Sequence, residues 1–129
     1  MGSWRCPQLL IGAFVMVLMA SKPASAQPLK VTCRTQSQST AQTCLLDVYD
    51  SVLQGLNGIQ LRVVFPGGYA VEALCLELLS GHCKVKSTQR SWEAGRIRTV
   101  SHYGGFETAF VIETSRGVVL AVCDTLPAR

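Results

Sequence analysis

From Gln27 onward, short apolar stretches alternate with turn residues roughly every 10 residues, and this rhythm constrains the fold more than any other feature. A period of two puts apolar side chains on one face of an extended chain, and frequent turns fold such segments back on one another. Leu29, Val31 and Cys33 alternate with Lys30 and Thr32. A polar stretch, Arg34 to Thr43, leads to a second apolar segment, Cys44 to Tyr49. After a Gly55-Leu-Asn-Gly58 turn, Ile59, Leu61, Val63 and Phe65 alternate with Gln60, Arg62 and Val64, and Pro66-Gly67-Gly68 ends that strand.

The segment 70–79 satisfies two patterns. Its Glu, Ala and Leu favour a short helix, whereas Val71, Ala73 and Cys75 fit a strand, the reading adopted. Lys84 to Thr88 reads as a brief strand with its lysines in solvent. Trp92 to Gly95 reads as a connection, and Arg96 to Tyr103 as a strand ended by Gly104-Gly105. Phe106 to Thr114, the tight Ser115-Arg-Gly117 connection and Val118 to Cys123 form a hairpin. Val119, Ala121 and Cys123 are expected on one face of its last strand. The chain is thus expected to be all-β: one antiparallel sandwich or barrel-like domain of seven or eight short strands.

Residues 1–26 read differently. Arg5 precedes an apolar run, Leu9 to Ala20, and Ala24-Ser25-Ala26 supplies a small-residue cleavage site, the pattern of a secretory signal peptide cut after Ala26. The run is too short to span a bilayer, and nothing after it is longer, so no transmembrane segment is expected once the signal is cleaved. The mature chain, residues 27–129, has the size of one domain, is secreted or periplasmic, and meets an oxidising environment. Arg5 and Lys22 leave with the signal, so the net charge falls from +4 to +2, too little to point to nucleic acid.

Cys6 leaves as well, so five cysteines remain. Two bridges and one leftover thiol can be arranged in fifteen ways. Cys33 and Cys44 flank the polar stretch and Cys75 and Cys83 flank a second short loop, so these four are expected in disulfides. Cys123 is then the unpaired thiol, either buried and inert or bridging to a partner or a second copy in a disulfide-linked dimer.

The usual signs of catalysis are absent. No Cys-x-x-Cys, Gly-x-Ser-x-Gly elbow, phosphate-cradling loop or His-Glu-x-x-His occurs. A Cys123 nucleophile would need His82 or His102 as base, with no local signature around it. His82 beside Cys83 lacks a second closely spaced ligand pair, so neither a metal site nor a cofactor is expected. Asp47 and Asp50 fall on opposite strand faces, which separates their carboxylates. The remaining constellation is basic: Lys84, Lys86, Arg90, Arg96 and Arg98 lie within 15 residues with Glu93 as the one acid among them. If their strands are neighbours, they form a positive stripe, with Trp92 in the connection and His102 continuing it, suited to a protein or an anionic envelope component such as lipid head groups.

Val31-Thr-Cys33, Cys44-Leu-Leu, Leu61-Arg-Val-Val-Phe-Pro66, Cys75 with Gly81-His-Cys83, and Gly105-Phe106-Glu-Thr-Ala109 together resemble the bacterial invasion-associated locus B family of exported proteins. The chain departs from that pattern in lacking a tryptophan before its first cysteine, in spacing its second cysteine pair more widely, and in adding a strand with Cys123. The resemblance implies a periplasmic or envelope-associated protein without catalytic residues, linked to interaction with host cells, and it implies the pairings Cys33 to Cys44 and Cys75 to Cys83. The expected function is therefore a non-catalytic binding or accessory protein acting through its basic surface and disulfide-braced loops. The alternative is a small secreted enzyme inhibitor using the loop Arg34 to Thr43 or Leu76 to His82.

Overall fold

A computed structural model describes residues 28–53, 55–76 and 82–128. The signal-peptide reading of residues 1–26 lies outside them. The described chain is all-β: β1 (Leu29–Arg34), β2 (Gln42–Leu53), β3 (Leu56–Val64), β4 (Ala70–Cys75), β5 (Cys83–Ser87), β6 (Arg90–Tyr103), β7 (Phe106–Thr114) and β8 (Val119–Pro127). Each strand pairs antiparallel with the next, and β8 returns to β1, closing an up-and-down barrel. Closure gives every described strand two neighbours, which separates this fold from the open sandwich that the same alternation permits, although Asp47 to Leu53 of β2 extend past β1 and pair with β3 alone.

Between Ala70 and Cys75 the period of two prevails over helix propensity, with Val71, Ala73 and Cys75 turned inward. The rest of the helix alternative, 77–79, falls outside the described residues. Trp92 also differs from expectation. It stands within β6 because Ser87 pairs with Arg90 across a two-residue turn, so the strand begins before it.

The interior is built in rings set by register. Leu61, Ala73 and Val85 oppose one another across β3, β4 and β5, as do Ile97, Ile112 and Ala121 across β6, β7 and β8. All six are buried. A register shift beside Glu113 breaks the alternation in β8. Leu120 thereby joins Ala121 and Cys123 in the interior, while Val119 packs with Val122 in a second cluster. That cluster, with Ala109 and Val111, lies on the outer side of β7 and β8. The β6–β7 hairpin tip folds over it: a Cβ on Gly104 would lie 2.9 Å from a Val122 methyl. Gly104 (φ 67°) and Gly105 (φ 89°) both take the left-handed conformation that a two-residue hairpin turn requires.

The cysteines keep one expected pairing, Cys75 to Cys83, and depart from the other. Cys33 bonds Cys123, its direct opposite across the β1–β8 seam, and Cys75 bonds Cys83, opposite it across β4 and β5. Cys44 is the free thiol, buried inside β2. The physical reason is register. Cys33 faces Gln42 across β1 and β2, and Cys44 faces Val31, so the two cysteines are offset by two positions, whereas closure brings Cys123 level with Cys33.

Away from the apolar cluster on β7 and β8, the outer face of β2 to β5 carries a charged row. Asp47, Arg62, Glu72 and Lys86 stand in one cross-strand row of alternating sign from β2 to β5. Among the described residues no helix is long and apolar enough to cross a membrane.

Candidate functional site

The predicted basic residues divide between two places. β5 and β6 are neighbours, so Lys84, Lys86, Trp92, Arg96 and Arg98 share the outer face of the barrel. Arg90 instead pairs opposite Ser87 at the β5–β6 turn and lines the open end. His102 is exposed in a left-handed conformation (φ 52°) just before the hairpin turn.

The outer face holds more acid than the local sequence implies. Glu113 of β7 stands directly opposite Arg96 and is buried beneath the arginines. Its Oε2 accepts hydrogen bonds from Nε of Arg96 (2.6 Å) and Nε of Arg98 (2.7 Å), and Oε1 accepts a longer one from Arg98 (3.3 Å). Glu72 lies 4.0 Å from Lys86, and Glu93 pairs with Arg90 at 3.0 Å and Arg116 at 3.7 Å. The positive charge is therefore braced by carboxylates. Lys86 also sits 5.6 Å from the Trp92 ring centre, and the Arg98 guanidinium 6.0 Å from that of Tyr103.

Glu113 is the residue of this face that local sequence reading misses. Its signal was a lone acid in the apolar run Ala109-Phe-Val-Ile-Glu113, in a hairpin whose register aligns it with Arg96. Burial alone would raise its carboxyl. The two guanidiniums outweigh burial and hold it below its ordinary value of 4.5. A depressed folded value means that the stabilisation is present above the unfolded value and is lost as pH falls through the folded one. Glu113→Gln should cost about 2 kcal/mol at pH 7. In urea titrations, that difference from the unsubstituted protein should shrink below about pH 4.5 as the native carboxylate protonates.

At the opposite extreme stands Cys44. Burial pushes its thiol up to about 11, so at neutral pH it is a packed apolar group, not a nucleophile. Cys123, the thiol weighed for catalysis, is in a disulfide. His82, the other candidate base, is exposed at the start of β5, and no cluster of three or more metal-ligating side chains occurs among the described residues.

The open end of the barrel is the second place of interest. The connections β1–β2, β3–β4, β5–β6 and β7–β8 all converge there around a cavity of about 580 Å³. Phe65 and Leu120, both buried, and Tyr69 form its apolar side. Phe65 and Tyr69 pack ring against ring at 5.3 Å, and the Tyr69 hydroxyl donates to the Leu120 carbonyl (3.2 Å). The polar stretch expected as a loop supplies Thr35 to Gln38 to the rim. Its turn is held by the Gln38 amide donating to the Thr35 carbonyl and the Thr35 amide donating to Gln38 Oε1 (both 3.3 Å). No disulfide closes this loop on itself, since Cys33 is tied to β8. Cys75 and Cys83, which flank the second loop expected from the sequence, are bridged.

Comparison of the chain with protein-family models, with curated proteins and with solved structures finds no match.

Proposed function

We propose that this chain is an exported, periplasmic or envelope-associated, non-catalytic binding protein that engages an anionic envelope component through the outer face of β5 and β6. One observation carries the reading. Arg96 and Arg98 are clamped side by side on a single buried carboxylate, yet their side chains remain 44% and 42% exposed, on the same strand face as Trp92, itself 41% exposed. Arginines fixed in this way lose little side-chain entropy on meeting a phosphate or carboxylate, and their remaining N–H donors suit such a group. Lys84 and Lys86 extend the same face, and Trp92 offers an amphipathic ring of the kind found at lipid and protein interfaces. Two disulfides fit export to an oxidising compartment. The resemblance to the invasion-associated locus B family supports a role in host interaction.

Sedimentation with vesicles tests the reading. Phosphatidylglycerol vesicles should carry the protein down and phosphatidylcholine vesicles should not, with binding falling as salt rises. Arg96→Glu with Arg98→Glu should abolish binding. Lys84→Glu with Trp92→Ala, which leaves the Glu113 clamp intact, should weaken it about tenfold. Equal binding to both vesicle types, or binding unchanged in the second variant, would overturn the proposal.

A further inference from the structure

From the open end of the barrel we infer that this protein has a second binding site, independent of its outer face, which takes an amphipathic monoanion: a small molecule with one carboxylate or sulfonate head on an apolar body. Four observations converge. The cavity of about 580 Å³ falls within the usual size of small-molecule sites, and barrel mouths are a common place for them. Its apolar side is built from rigid parts. Phe65 and Leu120 are each 3% exposed, and Tyr69 is fixed by its bond to the Leu120 carbonyl, so an apolar body would meet a preformed wall.

The rim is made of amide and hydroxyl side chains from the β1–β2 and β5–β6 turns together with Pro66 and Val118, and it is uncharged with a single exception. Among the described residues that line the cavity, Arg90 is the charged one, and no carboxylate faces it from within that lining. Arg90 is also not fully neutralised. Glu93 accepts its Nε proton, which uses one of five N–H donors, and the same carboxylate lies against Arg116, so two cations share one anion. A cation at the rim of an apolar cavity selects a ligand with the opposite charge at one end. A neutral apolar molecule leaves Arg90 uncompensated, and a cation meets it with like charge.

Two fluorescent probes separate head from body. 1-Anilinonaphthalene-8-sulfonate and N-phenyl-1-naphthylamine share their aromatic body, and only the first carries a sulfonate. The folded protein should bind the sulfonate saturably, one per chain, about tenfold more tightly than the neutral probe, and decanoate should displace it. Arg90→Gln should remove that tenfold preference and leave the neutral probe unchanged. Val118→Glu, a rim substitution away from the Glu93 pair, should weaken the sulfonate at least tenfold without changing the thermal midpoint, and so tests the site even if Arg90→Gln disturbs the fold. Non-saturable binding, equal affinity for the two probes, or a sulfonate affinity untouched by Val118→Glu would overturn the inference. None of these results bears on vesicle binding by the outer face, so the two readings stand or fall separately.

Discussion

Replacing Cys33 and Cys123 together by alanine should lower the free energy of unfolding by about 4.6 kcal/mol, against about 2.5 kcal/mol for the Cys75 and Cys83 pair. The difference follows from loop length. The first bridge joins residues 90 apart in sequence and the second residues 8 apart, and the entropy removed from the unfolded chain grows with the logarithm of the closed loop. The seam bridge also has a partner in the fold that the other lacks. It ties the first strand to the last, a pairing that no turn enforces, whereas the ends of β4 and β5 are brought together by their own connection. Urea titration of both double variants checks the ranking. Equal losses would show that the seam is held by its hydrogen bonds and packing, with little help from the bridge.

Gly95→Ala should cost about 3 kcal/mol, a large effect for one methyl group. Gly95 lies in the middle of the long strand β6, where glycine normally weakens pairing. Its place is set by proximity. A Cβ there would overlap the Cγ2 methyl of Val85 and approach the Glu113 backbone carbonyl to 2.5 Å. Val85 is fully buried, so its side chain has no solvent side to swing into, and the carbonyl belongs to the neighbouring strand. Val85→Ala in the same chain should recover the part of the loss that comes from the methyl clash and leave the part that comes from the carbonyl. A denaturation double-mutant cycle measures that coupling, which should be about 1 kcal/mol or more. Additive losses would mean that β6 shifts as a unit away from both neighbours.

What the sequence makes legible here is whatever depends on near neighbours. The row Ile59, Leu61, Val63 and Phe65 reads directly as a strand with a buried face, and Gly104-Gly105 as the turn of a hairpin, because each signal lies within a few residues. Closure is different. Whether eight alternating strands form a barrel or a sandwich depends on whether β1 meets β8, and the residues that decide it are about 90 positions apart. The pairing of Cys33 with Cys44 failed for the same reason, whereas Cys75 with Cys83, only 8 residues apart, held. Cys33 and Cys44 look like partners along the chain, but the register of their hairpin offsets them, and the correct partner of Cys33 is contributed by the opposite end of the barrel. Of the candidate surface, the five basic residues and Trp92 were visible as a cluster. Of the acids that set their charge only Glu93 was, because Glu72 and Glu113 come from the strands on either side. Arg90 was legible as a charge but not as part of the rim, since only the two-residue turn after Ser87 rotates it away from the others.

The seam also dictates the order in which the molecule can be completed. Until β8 pairs with β1, the meander is an open sheet with two bare edges. During that interval the nearest thiol to Cys33 is Cys44, two positions away on the same inner face. A bond between them would be an assembly error that the finished register corrects, since Cys123 arrives level with Cys33 and leaves Cys44 enclosed as a spare. The native bridge is thus a chemical record that the last strand has reached the first.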